Sequence, residues 1–483
     1  MVRTPGEEVG RMAQRLAGRV QQALDCVPPA QMVELIHAIH RSATDRHIAY
    51  QRDGVTETVR LLPCPLVLRP DQLSYTHYIS QTLLNCLKRL PDLYFQVPRV
   101  HEVLRLTPVE DEWLRECWTP AHREANTVFA RLDAVVDYAT PHWLESIKFM
   151  ESNLSGIGGL HMGPAAMRVL AETVLPALLA HDPSIRLQFT DDMRELLLQD
   201  LLEHLAATGR PGGQIVLVDP KYVMEGPDEP DAIVAYYNEH HGMPVLHADA
   251  SELRLKGDDV WYGDKRVDVV YRDASVLDLL DWEKSGVDVA PMRALLRQNR
   301  VVSSISSDLD QKSCFEVLTD PELADQFLTI EERQVVQRHV LWTRLVSERR
   351  TISPAGKPVE LLEYARRERE SLVLKPNRAY GGEGVVLGRT APQGEWEGAL
   401  DRALRDESRW VVQQAVPIPA KEFQVLDESG RLQREPFYIV MGFAPSRYGV
   451  GLVARVSQQA VVNVAQRGGM CAVMVSAKAL EGV

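Results

Sequence analysis

The chain has 483 residues, of which 45% are hydrophobic and 25% charged, which is typical of a globular protein with roughly two to four structural units. Its net charge of −13 at pH 7 argues against nucleic acid or an anionic membrane as a partner. The six cysteines show no Cys-x-x-Cys spacing, which excludes a zinc ribbon and favours reduced thiols.

Residues 1–122 are predicted to form a mainly helical region. Apolar residues recur at helical spacing in segments 10–24, 31–48 and 72–90, and prolines separate these segments. The N-terminus lacks a signal-peptide core, and no apolar run approaches the ~18 residues of a membrane span. We therefore expect a soluble, cytoplasmic protein with no membrane partner.

Polar residues alternate along two predicted antiparallel strands within residues 123–210. The first strand, Val128–Tyr138, places Arg131 and Asp133 on one face. The returning strand ends with Glu151 and Asn153, also on one face, beside a glycine-rich turn. Carboxylate and amide oxygens are the ligands that Mg²⁺ prefers, so we predict a metal site at these two acids and the asparagine. The alternative is a surface ion-pair ladder across the hairpin.

Residues 211–300 are predicted to form a small α/β domain. Short apolar strands over 214–219, 243–249 and 267–273 indicate a parallel sheet, with a helical segment over 231–241. Arg272 stands at the carboxyl end of the last of these strands, where open α/β sheets place their ligands.

Residues 301–483 contain a glycine-rich hairpin beside a lysine. The strand that begins at Leu372 delivers Lys375, and a second apolar strand follows the loop. Glycines allow backbone N–H groups to approach an anion, which suits a nucleotide triphosphate. The Gly-Lys-Ser/Thr ending of a P-loop is absent. Taken alone, the pattern fits a plain structural turn equally well. The loop glycines are Gly381, Gly382 and Gly384.

Further polar groups follow apolar strands in the same part of the chain. A strand near residue 301 leads to Lys312, and the strand over 410–417 ends in a polar–apolar step suited to the edge of an adenine ring. A late strand over 449–456 delivers Arg455, and a loop after it ends at Gly468 and Gly469.

Over residues 125–483 the order of these elements resembles the circularly permuted ATP-grasp fold of eukaryotic-type glutathione synthetase and the glutathionylspermidine synthetase group. The Arg-x-Asp strand and the Glu-x-Asn strand come before the lysine-bearing half, whereas they follow it in unpermuted ATP-grasp enzymes. The resemblance implies an α/β fold, ATP and Mg²⁺ as cofactors, and a homodimer.

The resemblance also implies a role for each matched residue. Lys312 and Lys375 correspond to the two ATP lysines, and the three loop glycines to a closing flap. Asp133, Glu151 and Asn153 would form the Mg²⁺ shell, with Arg131 facing phosphate. The remaining matches are Gln414 and Val416 on the adenine hinge, and Ser155, Arg272, Arg455, Gly468 and Gly469 at the substrate.

Two departures from the family pattern concern the substrate. Ala379 stands where glutathione synthetase has a metal-binding glutamate, so that ligand is lost or is supplied by Glu383 or Asp133. The turn after Asn153 is about two residues shorter, which leaves Ser155 as the clear serine counterpart. Glutathione is therefore not the expected product.

These residues predict an ATP-dependent carboxylate–amine ligase that acts on small molecules through an acylphosphate. A kinase that uses the same ATP site and a non-catalytic ATP-grasp scaffold are the alternatives, and Ala379 keeps the second one open. A dinucleotide-dependent oxidoreductase is disfavoured because no predicted strand is followed by Gly-x-Gly-x-x-Gly opening a helix.

Overall fold

The computed structural model describes residues 5–223, 225–379, 381–459, 462 and 468–477, with side chains from residue 15 onward. The helices are α1 Pro5–Asp25, α2 Pro29–Asp45, α3 Pro70–Leu87, α4 Leu90–Gln96, α5 Pro98–Val103, α6 Pro108–Cys117, α7 Pro120–Glu124, α8 Trp143–Ser146, α9 Met162–His181, α10 Met193–Ala207, α11 Pro230–His241, α12 Val276–Lys284, α13 Ala290–Arg297, α14 Cys314–Thr319, α15 Pro321–Ala324, α16 Ile330–His339, α17 Leu361–Arg367 and α18 Gln393–Arg405.

The strands are β1 Ala49–Arg52, β2 Val55–Thr58, β3 Leu66–Leu68, β4 Arg131–Val135, β5 Lys148–Asn153, β6 Leu187–Phe189, β7 Ile215–Val218, β8 Gly226–Pro227, β9 Leu246–Ala248, β10 Leu253–Lys256, β11 Asp259–Tyr262, β12 Lys265–Arg266, β13 Val269–Arg272, β14 Val301–Val302, β15 Thr343–Leu345, β16 Arg350–Ile352, β17 Pro358–Glu360, β18 Leu372–Pro376, β19 Val386–Leu387, β20 Trp410–Gln414, β21 Ala420–Leu426, β22 Leu432–Ser446, β23 Gly449–Ser457, β24 Gly469–Cys471 and β25 Val473–Ser476.

The N-terminal region is mainly helical, as its periodicity predicts, with the short strands β1–β3 in addition. Several helices begin at a proline, because the first helical position needs no N–H donor. Helix α6 begins with a capping box: Thr107 accepts a hydrogen bond from the Glu110 N–H, and the Glu110 carboxylate accepts one from the Thr107 N–H. The same carboxylate also contacts a residue far along the chain, as described below.

The central sheet has the strand order β24-β23-β22-β4-β5, and β21 also pairs with β22. Strand β4 is antiparallel to both neighbours, so Asp133 lies opposite Glu151 on one side and opposite Gly442 on the other. Arg131 lies opposite Asn153 in the same ladder. The early hairpin and the C-terminal strands therefore form one surface.

The small domain contains a parallel sheet with the order β14-β13-β7-β9. All four residues of β7 are buried, because helices cover the sheet and leave no strand face in water. After β7 the chain passes through α11 to β9 on one side, and it later returns to β13 on the other side. The order of the strands thus reverses between β7 and β13.

A four-stranded antiparallel sheet, β15-β20-β18-β19, carries the glycine hairpin. Its pairs Val373–Leu387 and Leu374–Val386 agree with the predicted hairpin. Helices α17 and α18 cover this sheet and share with it an apolar core that includes Trp342, Trp396 and Trp410.

Strand β25 lies between β3 and β6, so the end of the described chain is joined to two earlier segments. Helix α9 lies close to this sheet and is long and apolar enough to cross a membrane by length and composition alone. However, 56% of its most apolar stretch is buried inside the fold. Packing in the core therefore explains why this helix is apolar.

Candidate functional site

A cavity lies between the central sheet and the four-stranded sheet, and it encloses about 1050 Å³ including its open mouth. Residues from five separate parts of the sequence meet there, within 131–153, 312–341, 373–387, 413–418 and 440–462. The predicted site residues that line it are Arg131, Asp133, Glu151, Asn153, Lys312, Lys375, Gly381, Gly382, Gln414, Val416 and Arg455. We call this space the central cavity.

Asp133 joins two arginines at the floor of the central cavity. Its carboxylate accepts a hydrogen bond of 2.9 Å from Arg131 Nε and lies 2.6 Å from an Arg455 guanidinium nitrogen. The Asn153 side-chain amide donates to the same carboxylate at 3.1 Å. Burial alone would raise the pKa of Asp133, but the two arginines hold that pKa below its usual range.

Glu151 and Lys312 form an ion pair of 2.9 Å beside this floor. The Lys312 ammonium also donates to the carbonyl oxygen of Ala379, at the start of the glycine loop. Lys312 thereby connects the Glu151 strand to the loop that follows Lys375. An anionic ligand would compete with both of these contacts.

Lys375 is buried on β18 and faces the same cavity. Its ammonium donates to Gln413 Oε1 at 2.8 Å, and Gln413 in turn donates to Thr343 Oγ1 and the Met150 carbonyl oxygen. Burial and, to a smaller extent, the nearby Lys312 lower the pKa of Lys375 to about 8, although Glu151 and Asp133 oppose the shift. A phosphate group would offset the burial of this charge.

The other half of the central cavity is apolar, with walls that include Leu341, Val373, Leu387, Ile418 and Val440. An apolar slot that leads to a cationic end matches the two halves of a nucleotide, a flat base and its phosphates.

The segment predicted as the adenine hinge borders this apolar slot. The Gln414 N–H already donates to the Trp342 carbonyl oxygen, and the Ala415 N–H donates to the Ser371 carbonyl oxygen. Val416 also lines the slot, and within the described residues its N–H makes no backbone hydrogen bond. Val416 is therefore better placed than Gln414 to donate a backbone hydrogen bond to a base.

The loop glycines adopt backbone conformations that other residues rarely adopt. Gly381, Gly382 and Gly384 have φ values of 68°, 76° and 68°. Gly384 does not line the cavity, and a Cβ there would come within 2.8 Å of the Pro376 ring. The loop thus needs glycine for its shape at three positions and offers two of them to the cavity.

The donor set fits a Mg²⁺ ion carried by a nucleotide better than a metal site made by the protein alone. Among the described residues, no group of three or more His, Cys, Asp or Glu side chains is placed to hold a metal. Asp133 is engaged by two arginines, which favours a role in orienting them over its predicted role as a ligand. Glu151 and Asn153 remain of the predicted ligands, and Glu383, the possible replacement ligand, also lines the cavity. Mg²⁺ at phosphates uses one or two such protein ligands.

Arg272, predicted to face the substrate, is fully buried and lies outside the central cavity. It pairs with Asp308 at 2.5 Å and donates to the carbonyl oxygens of Ser303 and Ser304. Its position therefore corrects the prediction: Arg272 joins β13 to the turn at Ile305–Leu309. The sequence pattern could not show this pairing, because Asp308 lies in a different element.

Three other predicted substrate residues also lie outside the central cavity. Ser155 does not line it, and Gly469 is buried in β24, paired with Val456. Gly468 directly precedes that strand. The loop residues 463–467 that would precede these glycines lie outside the described residues.

Two site residues were not predicted from the sequence. Gln413 bonds Lys375, although its place on an apolar strand gives no sign of this. Gly442 lies opposite Asp133, and a Cβ there would come within 2.6 Å of Arg131 Cδ. A glycine inside a long strand is the one signal that could have marked this close approach.

Comparison with known proteins supports the fold. No protein-family model matches the chain, and no curated protein matches its sequence. Among solved structures it is similar to a glutathione synthetase-like effector from Globodera pallida in its apo form, with a TM-score of 0.64 at 11% sequence identity. The match covers 92% of this chain and 98% of that chain. The protein therefore has a glutathione synthetase-like fold of mixed α/β type.

The coverage extends beyond the part of the sequence on which the resemblance rests. A match confined to residues 125–483 would cover less of this chain than the 92% that the comparison covers. A large part of the N-terminal helical region therefore belongs to the shared fold. At this identity the likeness concerns the fold alone.

Proposed function

We propose that the protein is an ATP-dependent carboxylate–amine ligase with the circularly permuted ATP-grasp arrangement. The observation that carries this proposal is the central cavity, in which Lys312, Lys375, Arg131 and Arg455 surround one end of an apolar slot. The glutathione synthetase-like fold supports the proposal further, because the residue roles were inferred from a resemblance to glutathione synthetase.

The chemistry follows from the charges. Attack of a substrate carboxylate on the γ-phosphate brings anions together, and the lysines and arginines would reduce that repulsion and stabilise the transfer. Bound Mg²⁺, held by Glu151 and Asn153, would add further charge neutralisation at the phosphates. The transfer releases ADP and gives an acylphosphate. Attack of an amine on the acylphosphate then forms the amide and releases phosphate and a proton.

The glycine loop would protect the acylphosphate from water. Gly381 and Gly382 of this loop, which lies between β18 and β19, line the central cavity. Closure of such a loop over bound phosphates excludes solvent until the amine arrives. The proposed chemistry uses no cysteine or histidine, and none of either type lines the cavity among the described residues.

The test is ADP release with Mg·ATP across a matrix of carboxylic acids and amines. We expect ADP only when both an acid and an amine are present, and none with Lys375→Met. Lys357→Met, which removes an exposed lysine from the turn between β16 and β17, should retain activity.

Other outcomes separate the alternatives. ADP release that needs an acceptor but no amine would favour a kinase. Tight Mg·ATP binding without turnover in the whole matrix would fit equally well a substrate missing from the matrix and a non-catalytic scaffold, the alternative that Ala379 keeps open. Loss of Mg·ATP binding would contradict the ligase and the kinase and would favour the scaffold.

A further inference from the structure

The turn that carries Lys312 contacts both walls of the central cavity. It comprises residues 310–313, between the short 3₁₀-helix Ile305–Leu309 and helix α14, and we call it the lysine turn. The Lys312 ammonium pairs with Glu151 on one wall and donates to the Ala379 carbonyl oxygen on the other. The position of this ammonium therefore depends on how the turn is held against each wall.

Asn377, which directly follows β18, holds the lysine turn against the four-stranded sheet and is only 1% exposed. Its carbonyl oxygen accepts a hydrogen bond of 3.0 Å from the Lys312 N–H, and its side-chain oxygen accepts one of 2.8 Å from the Ser313 N–H. Its side-chain amide donates to Gln311 Oε1 at 3.0 Å. Three hydrogen bonds thus join the turn to the end of the strand that carries Lys375.

Asp310 joins the other end of the lysine turn to β5 of the central sheet. One of its carboxylate oxygens accepts a hydrogen bond of 2.7 Å from the Ser152 hydroxyl, and the other accepts one of 2.7 Å from the Leu154 N–H. These two partners flank Asn153, and Ser152 directly follows Glu151. Both oxygens of Asp310 therefore bond the segment that carries the predicted Mg²⁺ ligands.

Strand β5 benefits from such a contact because its ladder is irregular just before the site. It is the last strand of the central sheet, with β4 as its neighbour. Glu151 and Phe149 lie opposite consecutive residues of β4, so Met150 between them opposes none. A bulge of this kind disrupts the ladder locally and bends the strand. Asp310 bonds β5 beyond this bend, where the ladder alone fixes the strand less firmly.

Asp310 acts through its neighbours, because it does not itself line the central cavity. Strand alternation puts Glu151 and Asn153 on the cavity face of β5 and Ser152 on the opposite face. Ser152 is only 6% exposed, so its hydroxyl needs a partner inside the fold, and Asp310 supplies it. Asp310 thus supports the site from behind β5.

We propose that Asp310 is a positioning residue of the central cavity. By fixing the end of β5 against the lysine turn, it determines where Glu151 and Asn153 stand relative to Lys312. Stabilisation of phosphate charge depends on groups that are already in place, and hydrogen bonds from behind the site keep them there. The inference rests on the proposed function in one respect, namely that the ligand is Mg·ATP.

Two substitutions separate positioning from a direct effect of the Asp310 charge. Asp310→Ala removes both contacts with β5. Asp310→Asn removes the charge but can keep both contacts, because the carboxamide oxygen accepts from the Leu154 N–H while its NH₂ group donates to the Ser152 hydroxyl, which both donates and accepts. A positioning role therefore predicts that the asparagine variant restores most of what the alanine variant loses.

The first measurement is hydrogen exchange of the full chain without nucleotide. Asp310→Ala should speed exchange within residues 148–155 by about tenfold or more, whereas Asp310→Asn should stay within about threefold of the wild type. Asp264→Ala removes an exposed carboxylate from the turn between β11 and β12 and is the matched control, with unchanged exchange in this segment.

The second measurement is calorimetric binding of ATP with Mg²⁺ and with a chelator. Asp310→Ala should weaken Mg·ATP binding by about tenfold or more and metal-free ATP binding by a smaller factor, because Glu151 and Asn153 act on the phosphates through Mg²⁺. A variant that is only less stable would lose both affinities by the same factor. Ser152→Ala removes one contact and should lie between Asp310→Ala and the wild type, and it replaces Asp310→Ala if that variant does not fold.

Three results would overturn the inference. The first is unchanged exchange within residues 148–155 in Asp310→Ala, and the second is an equal loss of ATP affinity with and without Mg²⁺. The third is a loss in Asp310→Asn as large as in Asp310→Ala, which would mean that Asp310 acts by its charge.

The two measurements also distinguish this inference from the proposed function. A wild-type chain that does not bind Mg·ATP, together with faster exchange in Asp310→Ala, would contradict the proposed ligase and support the role of Asp310 in holding β5. Normal Mg·ATP binding in both the wild type and Asp310→Ala would leave the ligase intact and overturn the positioning role alone.

Discussion

Lys375 is a side chain on which burial and a bound phosphate have opposite effects: burial disfavours its charged form, and phosphate would favour it. Its ammonium is buried, and its pKa is lowered to about 8, so the charged form is present below that pH and is lost above it. Because phosphate favours the charged form, Mg·ATP affinity should fall above about pH 8 by up to about tenfold per pH unit.

Calorimetry from about pH 7 to about pH 9 checks this dependence. Lys375→Arg keeps its charge throughout and should flatten the profile, whereas Lys357→Met should follow the wild type. An unchanged profile in Lys375→Arg would show that another group is responsible.

Substitution of Gly442 should affect the site indirectly, through the neighbouring Arg131. An added Cβ would lie 2.6 Å from Arg131 Cδ and 2.8 Å from Val453 Cγ1. Gly442→Ala should therefore lower the free energy of unfolding by roughly 1–3 kcal/mol and weaken Mg·ATP binding, as Arg131 moves from Asp133.

Denaturant unfolding and calorimetry measure the two effects. Gly394→Ala, in a helix with open space around the glycine, should change neither quantity by more than about 0.5 kcal/mol. Normal Mg·ATP affinity in Gly442→Ala would mean that Arg131 does not contact the nucleotide.

At the scale of elements, helix α6 holds the base of the glycine hairpin. The Glu110 carboxylate caps α6 and also accepts two hydrogen bonds from Arg378, at 2.6 and 3.0 Å. Burial would raise the pKa of Glu110, but Arg378 and Thr107 keep it below its usual value. The N-terminal region thus fixes the start of the loop that follows Lys375.

We expect Glu110→Gln to loosen this loop and to lower the free energy of unfolding by roughly 1–3 kcal/mol, because the buried ion pair between Glu110 and Arg378 is lost. Limited proteolysis should cut the glycine loop faster, and Mg·ATP should restore part of the protection.

Glu112→Gln is the matched control, since Glu112 lies on the same helix and pairs with Arg293 in a solvent-exposed position. Cleavage at the same rate in Glu110→Gln and the wild type would show that the glycine loop does not depend on α6.

Local patterns predicted the elements better than the contacts between them. Alternation in β4 and β5 gave the shared face of Arg131, Asp133, Glu151 and Asn153, since a two-residue period needs no tertiary information. The same alternation shows that Arg272 lies on the opposite face of its strand from its neighbours, but it does not show which face meets a ligand. The ion pair with Asp308 shows that the Arg272 side is buried within the fold. Gln413 and Glu110 act through residues far away in sequence, which no local pattern reports.

For the whole molecule, the central cavity lies between the central sheet and the four-stranded sheet, and residues of both sheets line it. A non-hydrolysable ATP analogue with Mg²⁺ should therefore stabilise both together, by about 2.7 kcal/mol at a concentration one hundred times its Kd. Thermal unfolding measures the total, and hydrogen exchange should show protection in β4–β5 and in β18–β19. Protection confined to one sheet would contradict a ligand held between them.

The strand order of the central sheet also has a consequence for biosynthesis. Strand β4 pairs with β22, which leaves the ribosome about 300 residues later. At a synthesis rate of roughly 5–20 residues per second, the edge of β4 stays unpaired for tens of seconds before β22 is made. An unpaired strand edge can pair with the wrong strand, so the nascent chain is open to such mispairing after β4 and β5 emerge. Asp133 and Arg455 can meet only after Arg455 has been synthesised, so a nucleotide bound at this pair cannot assist folding before then.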